Sequence, residues 1–338
     1  MSEALLFRPL ELPRSELSLP NRLVMAPMPT FAAEPTGEAS ATELAWYARR
    51  ASSGLAAVVT AGCAVAAEGV CFAGQWRCDG ERFLDSLARV RTAIEEAGAL
   101  AVLQLVWCGR FTAAPAPERI VRAFAAAARR AQRAGYRAVE IHGGHRDLLQ
   151  QFFSRRTNSR VSGWGGPDVA GRARLPLVAA EAAAENVLSC WYRLDPEEPE
   201  PEGVTIEETL ELTELLVERG VEVVDVAAKS HAAGSIREAD SRPRAQLVAE
   251  RLQGKAATTL AAGGFRKPAQ AARALAEGAD LIGLGRVLIR EPDWAAKVRE
   301  GRTAELRMSP ADDASLEGLD VPPPIVAFLK RRAAGSSS

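Results

Sequence analysis

Short runs of β-branched and other apolar residues alternate along this chain with longer segments in which apolar positions recur at helical spacing. Eight runs have strand character: RLVMAPM (22–28), AAVVTAG (56–62), LAVLQLV (100–106), RAVEIHG (137–143), VLSCWYR (187–193), EVVDVAA (222–228), ATTLAAG (257–263) and DLIGLGR (280–286). Between them lie amphipathic segments such as ATELAWYARRASS, IVRAFAAAARRAQRAG, TIEETLELTELLVERG and PAQAARALAEG. Strand-then-helix units repeated eight times predict an α/β fold, a closed (β/α)₈ TIM barrel forming a single domain. A doubly wound open sheet is the rival, but no G-x-G-x-x-G follows the first strand. The barrel is expected to occupy residues 1–305, followed by a C-terminal extension, 306–338. That extension is expected to be partly mobile: the prolines of PPPIVAFLKRRAAGSSS oppose a continuing helix, and its end is Gly/Ser-rich.

Composition narrows the partners. Forty-two basic against 43 acidic residues leave a net charge of -1, so no global field draws the chain to nucleic acid or anionic lipid. The N-terminus lacks the basic and apolar regions of a signal peptide, and no run approaches the roughly 18 apolar residues of a membrane span. The expected location is cytoplasmic. Five cysteines, with no C-x-x-C pair among them, fit reduced thiols better than a disulfide framework.

A barrel of this kind assembles its active site from the loops after the strands, so the strand ends are read together. The first ends in Pro27, Met28 and Pro29, the second in Gly62, the third carries Gln104, and the fourth ends in His142 and His145. Gly263 and Gly264 close the seventh, Gly285 and Arg286 the eighth. Paired glycines before a short helix allow backbone N–H groups to approach an anion, and Arg286 adds a forked positive charge, which together suggest a phosphate site. The alternative is a tight turn with Arg286 paired to Glu291. His142 and His145, two of only three histidines, could together hold one carbonyl or nitro oxygen. They could instead cap loop carbonyls, or bind a metal with Asp147, although H-x-x-H has low specificity.

In order along the chain, NRLVMAPM, VVTAGCAVAAEG, LQLVWCGR, VEIHGGHRDLLQQFFSRRTNSR, GWGG, GRAR, TLAAGG and ADLIGLGRVLIREPDWAAKVREG resemble the motifs of the Old Yellow Enzyme family of flavin-dependent ene-reductases. The resemblance runs from about Leu6 to Gly301. It implies an FMN-binding (β/α)₈ barrel, NADH or NADPH as diffusible reductant, and a small-molecule substrate with a conjugated carbonyl. It implies that Pro27, Met28, Pro29 and Gly62 line the flavin ring, with Gln104 on its pyrimidine edge and Arg172 near N1 and O2. Gly263, Gly264, Gly285 and Arg286 would take the phosphate, and His142 and His145 the substrate's activating oxygen. Some relatives are dimers, so a homodimer is one expectation.

Several positions depart from the family pattern. Pro29 stands where relatives carry Thr or Cys, Phe31 replaces a tyrosine, and Trp107 replaces a histidine of the third-strand motif. Asp147 occupies the place of the proton-donating tyrosine and is preceded by Arg146 instead of glycine. An aspartate with a reference pKa near 3.9, beside an arginine, is expected to be ionised, which makes a poor enone reductase and suits the desaturating direction. The connection from Arg110 to Ile120 is shorter than usual, so the pocket is expected to be open or covered by something else. No cysteine follows Cys190, which argues against an iron–sulfur segment. A dihydrouridine synthase would need a basic RNA surface, which the net charge opposes. The remaining rival is a catalytically degenerate barrel, flavin-binding or flavinless, acting as a partner or sensor protein.

Overall fold

The structure is a computed structural model that describes residues 3–109, 114–307 and 316–335. Every predicted strand is present. The barrel strands are β3 (Leu23–Met25), β4 (Ala57–Val59), β6 (Leu100–Val106), β7 (Ala138–Gly143), β8 (Ser189–Leu194), β9 (Val221–Ala227), β10 (Thr258–Ala262) and β11 (Leu281–Leu284). All neighbours are parallel, and pairing of β4 with β6 closes the ring while the two-residue β5 (Cys63–Ala64) lies beside β6. The chain thus forms the expected (β/α)₈ barrel, with no edge left open among the barrel strands.

Helices α1 (Ala41–Ala51), α2 (Leu84–Glu95), α3 (Pro117–Arg133), α4 (Leu148–Phe153), α5 (Val169–Ala184), α6 (Ile206–Glu218), α7 (Arg244–Leu252) and α8 (Pro268–Ala276) follow the strands. Local chemistry fixes their starts. Ser40 with Glu43 and Thr205 with Glu208 form capping boxes that satisfy the first free N–H groups of α1 and α6. Glu43 also accepts the Thr30 hydroxyl, which ties the loop after β3 to α1.

Inside the barrel the pleat sends alternate residues inward. The lower layer is apolar: Val24, Ala57, Val59, Val102, Ala138, Trp191, Val223, Leu260 and Leu281 form one buried cluster. Leu12, Leu17 and Leu19, carried by the hairpin of β1 (Leu10–Glu11) and β2 (Ser18–Leu19), join that cluster. Two residues further along several of the same strands the inward positions become polar: Gln104, Glu140, Arg193 and Asp225. That switch creates the functional end of the barrel.

After β11 come α9 (Val287–Arg290), α10 (Trp294–Arg299) and, beyond residues outside the described set, α11 (Pro323–Gly335). The prolines expected to oppose a helix stand at its start, where a missing N–H costs nothing, so α11 forms with them as its first turn. Residues 110–113 of the shortened connection also lie outside the described residues. Leu316, Leu319 and Ile325 are buried against the main core. Fully buried Arg50 pins this segment: it donates to the carbonyls of Trp46 (3.1 Å), Leu288 (3.2 Å) and Leu319 (3.0 Å). With no carboxylate bonded to it, burial and then Arg49 hold its pKa down to about 9. Replacing Arg50 with Met leaves three carbonyls without this donor and should lower stability by roughly 2–4 kcal/mol. Denaturant unfolding should show that loss, and limited proteolysis should show earlier release of the C-terminal segment.

Candidate active site

A cavity of about 1000 Å³ opens at the C-terminal ends of the strands, lined among others by Pro27, Met28, His145, Arg193, Lys229, Gly263, Gly264, Gly285, Arg286, Arg290 and Leu329. Seven of those positions were anticipated: Pro27, Met28, His145, Gly263, Gly264, Gly285 and Arg286. Pro29, Gly62, Gln104, His142 and Asp147 are not part of its lining. Gln104, His142 and Asp147 hydrogen-bond or adjoin groups at its wall instead.

One end of the cavity is built for an anion. Gly264 holds φ +70, in the left-handed region, and a side chain at Gly263 would run into the His231 backbone at 2.7 Å. Arg266, Arg286, Arg290 and Lys229 line the cavity with no carboxylate partner among the described residues. Burial and then the like charges of Arg266 and Arg286 lower the pKa of Arg290. Glu291, the alternative partner for Arg286, instead takes Lys297 at 2.8 Å and the Arg307 amide at 3.1 Å. Clustered cations without anions are an unmet electrostatic demand that a phosphate dianion satisfies.

The wall toward the barrel is the polar layer. Arg193, at the end of β8, pairs with Asp225 of β9 at 2.6 Å, and Gln104 donates to Glu140 at 2.8 Å. Burial raises the pKa of both Glu140 and Asp225, Glu140 to about 8, where the charge of Asp225 adds to the effect. With Arg193 stabilising the Asp225 carboxylate, the proton rests on Glu140. Four buried atoms at this wall, Arg193 Nε, His142 Nδ1, Glu140 Oε2 and Asp225 Oδ1, have no hydrogen-bond partner among the described residues. A heteroaromatic ring with its own donors and acceptors would satisfy them.

Arg172 does not belong to this wall. It sits in α5 with its guanidinium donating to the carbonyls of Phe153 (3.0 Å) and Pro167 (2.5 Å) and to Glu208 (2.5 Å), so it is a buried brace and no ring contact. The arginine at this wall is Arg193, last but one in the fifth strand, which was missed because that strand end was not read with the others. Lys229, Arg266 and Arg290 were also missed: the first two follow strands 6 and 7 just outside any motif, and Arg290 ends α9 within the last motif without being read as a phosphate ligand.

His142 and His145 do not both point outward. They hydrogen-bond each other, His145 Nδ1 to His142 Nε2 at 3.1 Å, and only His145 lines the cavity. Burial pushes the pKa of His142 well below the usual value and lowers that of His145, so both are neutral at pH 7. His145 and Arg146 both hold left-handed φ, 53° and 63°. The turn is braced by Asp195 accepting from the His145 amide (2.8 Å) and Gln150 from the Arg146 amide (2.6 Å). Such compensated strain is typical of functional turns.

Asp147 differs from expectation. Arg146 turns away to pair with Glu200, and burial followed by the nearby Asp195 charge raises the Asp147 pKa to about 7. Its carboxyl lies 3.4 Å from His142 Nε2 and 4.0 Å from Cys71 Sγ. Cys71 is joined to Cys108 in a disulfide, contrary to the expectation of five reduced thiols. Barrel closure brings these two loops together, and an odd cysteine count says nothing about a single pair. Among the described residues, the convergent metal-type cluster is Cys71, Cys108 and Asp147, not the histidine pair with Asp147, and its two sulfurs are bonded to each other. No helix of the described residues is long and apolar enough to cross a membrane.

Known proteins share this fold and sequence family. The model of the NADH:flavin oxidoreductase / NADH oxidase family matches residues 5–118 and 116–305. The chain is 31% identical to the probable NADH-dependent flavin oxidoreductase YqiG of Bacillus subtilis over 87% of each chain. It is also 31% identical to the NADH:fumarate oxidoreductase of Klebsiella pneumoniae, spanning 96% of this chain but 38% of that protein. Morphinone reductase shares the fold, with a TM-score of 0.77 and 22% identity over 94% of this chain and 96% of that one.

The polar layer makes a differential prediction. Glu140→Gln replaces a protonated carboxyl by a neutral amide of the same shape and should cost less than about 1 kcal/mol, whereas Asp225→Asn strands Arg193 and should cost about 3–5 kcal/mol. Urea denaturation at pH 7 of the two variants measures the contrast.

Proposed function

This chain belongs to the NADH:flavin oxidoreductase / NADH oxidase family, of the Old Yellow Enzyme type, and we propose that it reduces a double bond conjugated to a carbonyl group. The observation that carries the reading is a half-buried carboxyl with a pKa raised to about 7, Asp147, 3.4 Å from His142 Nε2 and so next to the histidine pair of which His145 lines the cavity. NADH is the favoured reductant, since the names of both relatives at 31% identity specify it. The fumarate in one of those names is not carried over, because this chain matches only 38% of that protein.

FMN, when bound, supplies the two-electron chemistry, accepting hydride from the nicotinamide and returning it to the substrate. Arg286, Arg266 and Arg290, with the Gly263–Gly264 and Gly285 backbone, would hold its phosphate. Pro27 and Met28 would lie along its ring, Met28 already resting 3.8 Å from where a side chain at Gly285 would begin. Arg193 and Gln104 would meet its polar edge. Pro29 offers that ring neither hydroxyl nor thiol.

The remaining work falls to the loop after β7. If His142 Nε2–H donates to His145 Nδ1, the one proton of neutral His145 sits on Nε2 and faces the cavity. One donor, backed by its neighbour, then holds the substrate oxygen, where the sequence suggested two in parallel. Oxygen binding at this N–H draws charge from the double bond and makes its β-carbon electrophilic. Asp147, half protonated at neutrality, delivers the proton to the α-carbon. Its raised pKa favours the reducing direction, because the ionised form that would serve desaturation is the minority below pH 7.

Two measurements test this. Arg286→Ala should weaken FMN retention at least about tenfold, since a charge-assisted contact is lost; equal flavin content after gel filtration would refute the phosphate site. For the proton donor, flavin reduction by NADH and its reoxidation by cyclohex-2-enone should be timed separately by anaerobic stopped flow. Reoxidation should fall as pH rises through about 7, following loss of the Asp147 proton. Asp147→Asn should slow reoxidation by roughly 100-fold, abolish that pH step and leave the NADH reaction unchanged. A protein that retains no flavin would instead support the degenerate-barrel alternative.

A further inference from the structure

The Cys71–Cys108 disulfide joins the segment after β5 to the end of β6, and it does so beside Asp147. Cys71 Sγ lies 4.0 Å from Asp147 Oδ1, and the two sulfurs and a carboxyl oxygen all fall within 4.8 Å of one another. Cys71 is exposed while Cys108 is buried, so solvent reaches the bond at one sulfur. The other titratable groups facing this carboxyl are His142 of β7, 3.4 Å away, and Asp195 of the loop after β8, whose charge acts on it. Arg146, its neighbour in sequence, is turned to Glu200.

Neither cysteine relies on the S–S bond to hold its place. The Cys71 amide donates to Gln75 Oε1 at 2.7 Å, and Gln75 Nε2 in turn donates to the Gly62 carbonyl at 2.9 Å. The Cys108 amide donates to the Gly69 carbonyl at 3.0 Å. The residues on either side of Cys108 are fastened to α4, which begins directly after Asp147: the Trp107 carbonyl accepts from the Leu148 amide at 3.2 Å, and the Gly109 carbonyl from Gln151 Nε2 at 2.7 Å. Breaking the disulfide therefore leaves both sulfurs beside the carboxyl and changes what they carry. A disulfide sulfur has no hydrogen to donate, whereas a thiol has one. A hydrogen bond donated to a carboxylate favours its ionised form.

We propose that Cys71 and Cys108 form a thiol–disulfide exchange site for dithiol reductants, and that opening it slows proton delivery by setting a thiol donor against the Asp147 carboxylate. A thiolate of the dithiol attacks Cys71 Sγ and forms a mixed disulfide, while Cys108 leaves as a thiolate and takes up a proton. The second thiol of the reductant then attacks its partner sulfur in that mixed disulfide, and Cys71 leaves and is protonated in turn. Two electrons and two protons pass to the cysteine pair, and the reductant ends as a cyclic disulfide. With the bond closed, Asp147 loses its proton at about pH 7. With it open, the Cys71 S–H brings that step down to about pH 6, so less of the acid form remains at neutrality. Flavin reduction by NADH takes no proton from Asp147 and is untouched. This rests on the reading of Asp147 as the proton donor.

The test compares the flavin-loaded protein after diamide oxidation with the same protein after dithiothreitol, each reagent removed by anaerobic gel filtration. Thiol counting in denaturant should find the three free cysteines, Cys63, Cys78 and Cys190, in the first and all five in the second. In stopped flow, reoxidation by cyclohex-2-enone should be about fivefold slower in the reduced form at pH 7 and nearly equal in the two forms at pH 5, with flavin reduction by NADH the same in both. Cys108→Ala, which keeps the Cys71 thiol, should follow the reduced wild type after dithiothreitol. Cys71→Ala, with neither bond nor donor, should follow the oxidised one. The Asp147 carboxyl carbon in 13C-aspartate-labelled protein, assigned by its loss in Asp147→Asn, reports the same step without turnover, near pH 7 in the oxidised form and near 6 in the reduced form. Five thiols after diamide, or one Asp147 titration common to both forms, would overturn the exchange site. Identical behaviour of the two alanine variants would overturn Cys71 as the donor. Normal flavin reduction by NADH with no enone reduced would overturn the ene-reductase reading instead, and the thiol count and carboxyl titration would still decide the exchange site.

Discussion

Closure of eight parallel strands is the constraint on which everything at the top of this molecule depends. A closed sheet has no edge to bend, so its pleat dictates which residues face the lumen and at what height. Val102 and Gln104, Ala138, Glu140 and His142, Trp191 and Arg193, and Val223 and Asp225 are successive inward positions on neighbouring strands, and the registers place Gln104 opposite Glu140, His142 opposite Arg193 and Arg193 opposite Asp225. Moving any one strand by a single residue would turn its polar group into the helix layer. The apolar floor therefore fixes the positions of the charges above it.

Those charges could not be tolerated separately. Arg193 and Asp225 are each buried, and each would carry a desolvation penalty larger than a single hydrogen bond recovers. Adjacent strands let them neutralise each other, and Glu140 avoids adding a second negative charge by keeping its proton, its pKa lifted to about 8. The same principle recurs one layer higher. Desolvation in a half-buried setting, and then the charge of Asp195, raise the Asp147 pKa to about 7, so its surroundings and not its own chemistry hold the proton. A carboxyl can thus keep a proton near neutrality where partial burial is joined by a like charge.

Legibility in the sequence followed the physical range of each interaction. The eight strands and the cavity positions at their ends could be read because pleat and strand order are encoded by local periodicity, as in the apolar run of residues 100–106. The glycine pair at 263 and 264 was readable for a similar reason, since it answers a backbone demand. Arg172 and Arg193 show the limit. Arg172 lies in the GRAR motif and Arg193 only at a strand end, and nothing in the motif says that its guanidinium is consumed by the Phe153 and Pro167 carbonyls and Glu208 while the other faces the lumen. The Cys71–Cys108 bond spans 37 residues and depends on two loops meeting across strands. Asp147 and α11 were misjudged alike: burial decided the first, and the second is held by Arg50, some 270 positions away in sequence, through Leu319.

The two ends of the cavity also differ in what they contribute to the fold. The end beside His145 is balanced in charge: the histidines are neutral and Arg193 is paired with Asp225. The other end gathers Arg266, Arg286, Arg290 and Lys229 with no counter-charge among the described residues, and the lowered pKa of Arg290 registers their mutual repulsion. Repulsion of that kind opposes the folded state until an anion is present, whereas an unfolded chain disperses the same charges at little cost. An anion that binds at this cluster in the folded barrel alone therefore stabilises it by mass action, and the repulsion it relieves is part of its affinity. Cofactor binding and barrel stability are on this argument one linked equilibrium, and the cluster of cations is the element that links them.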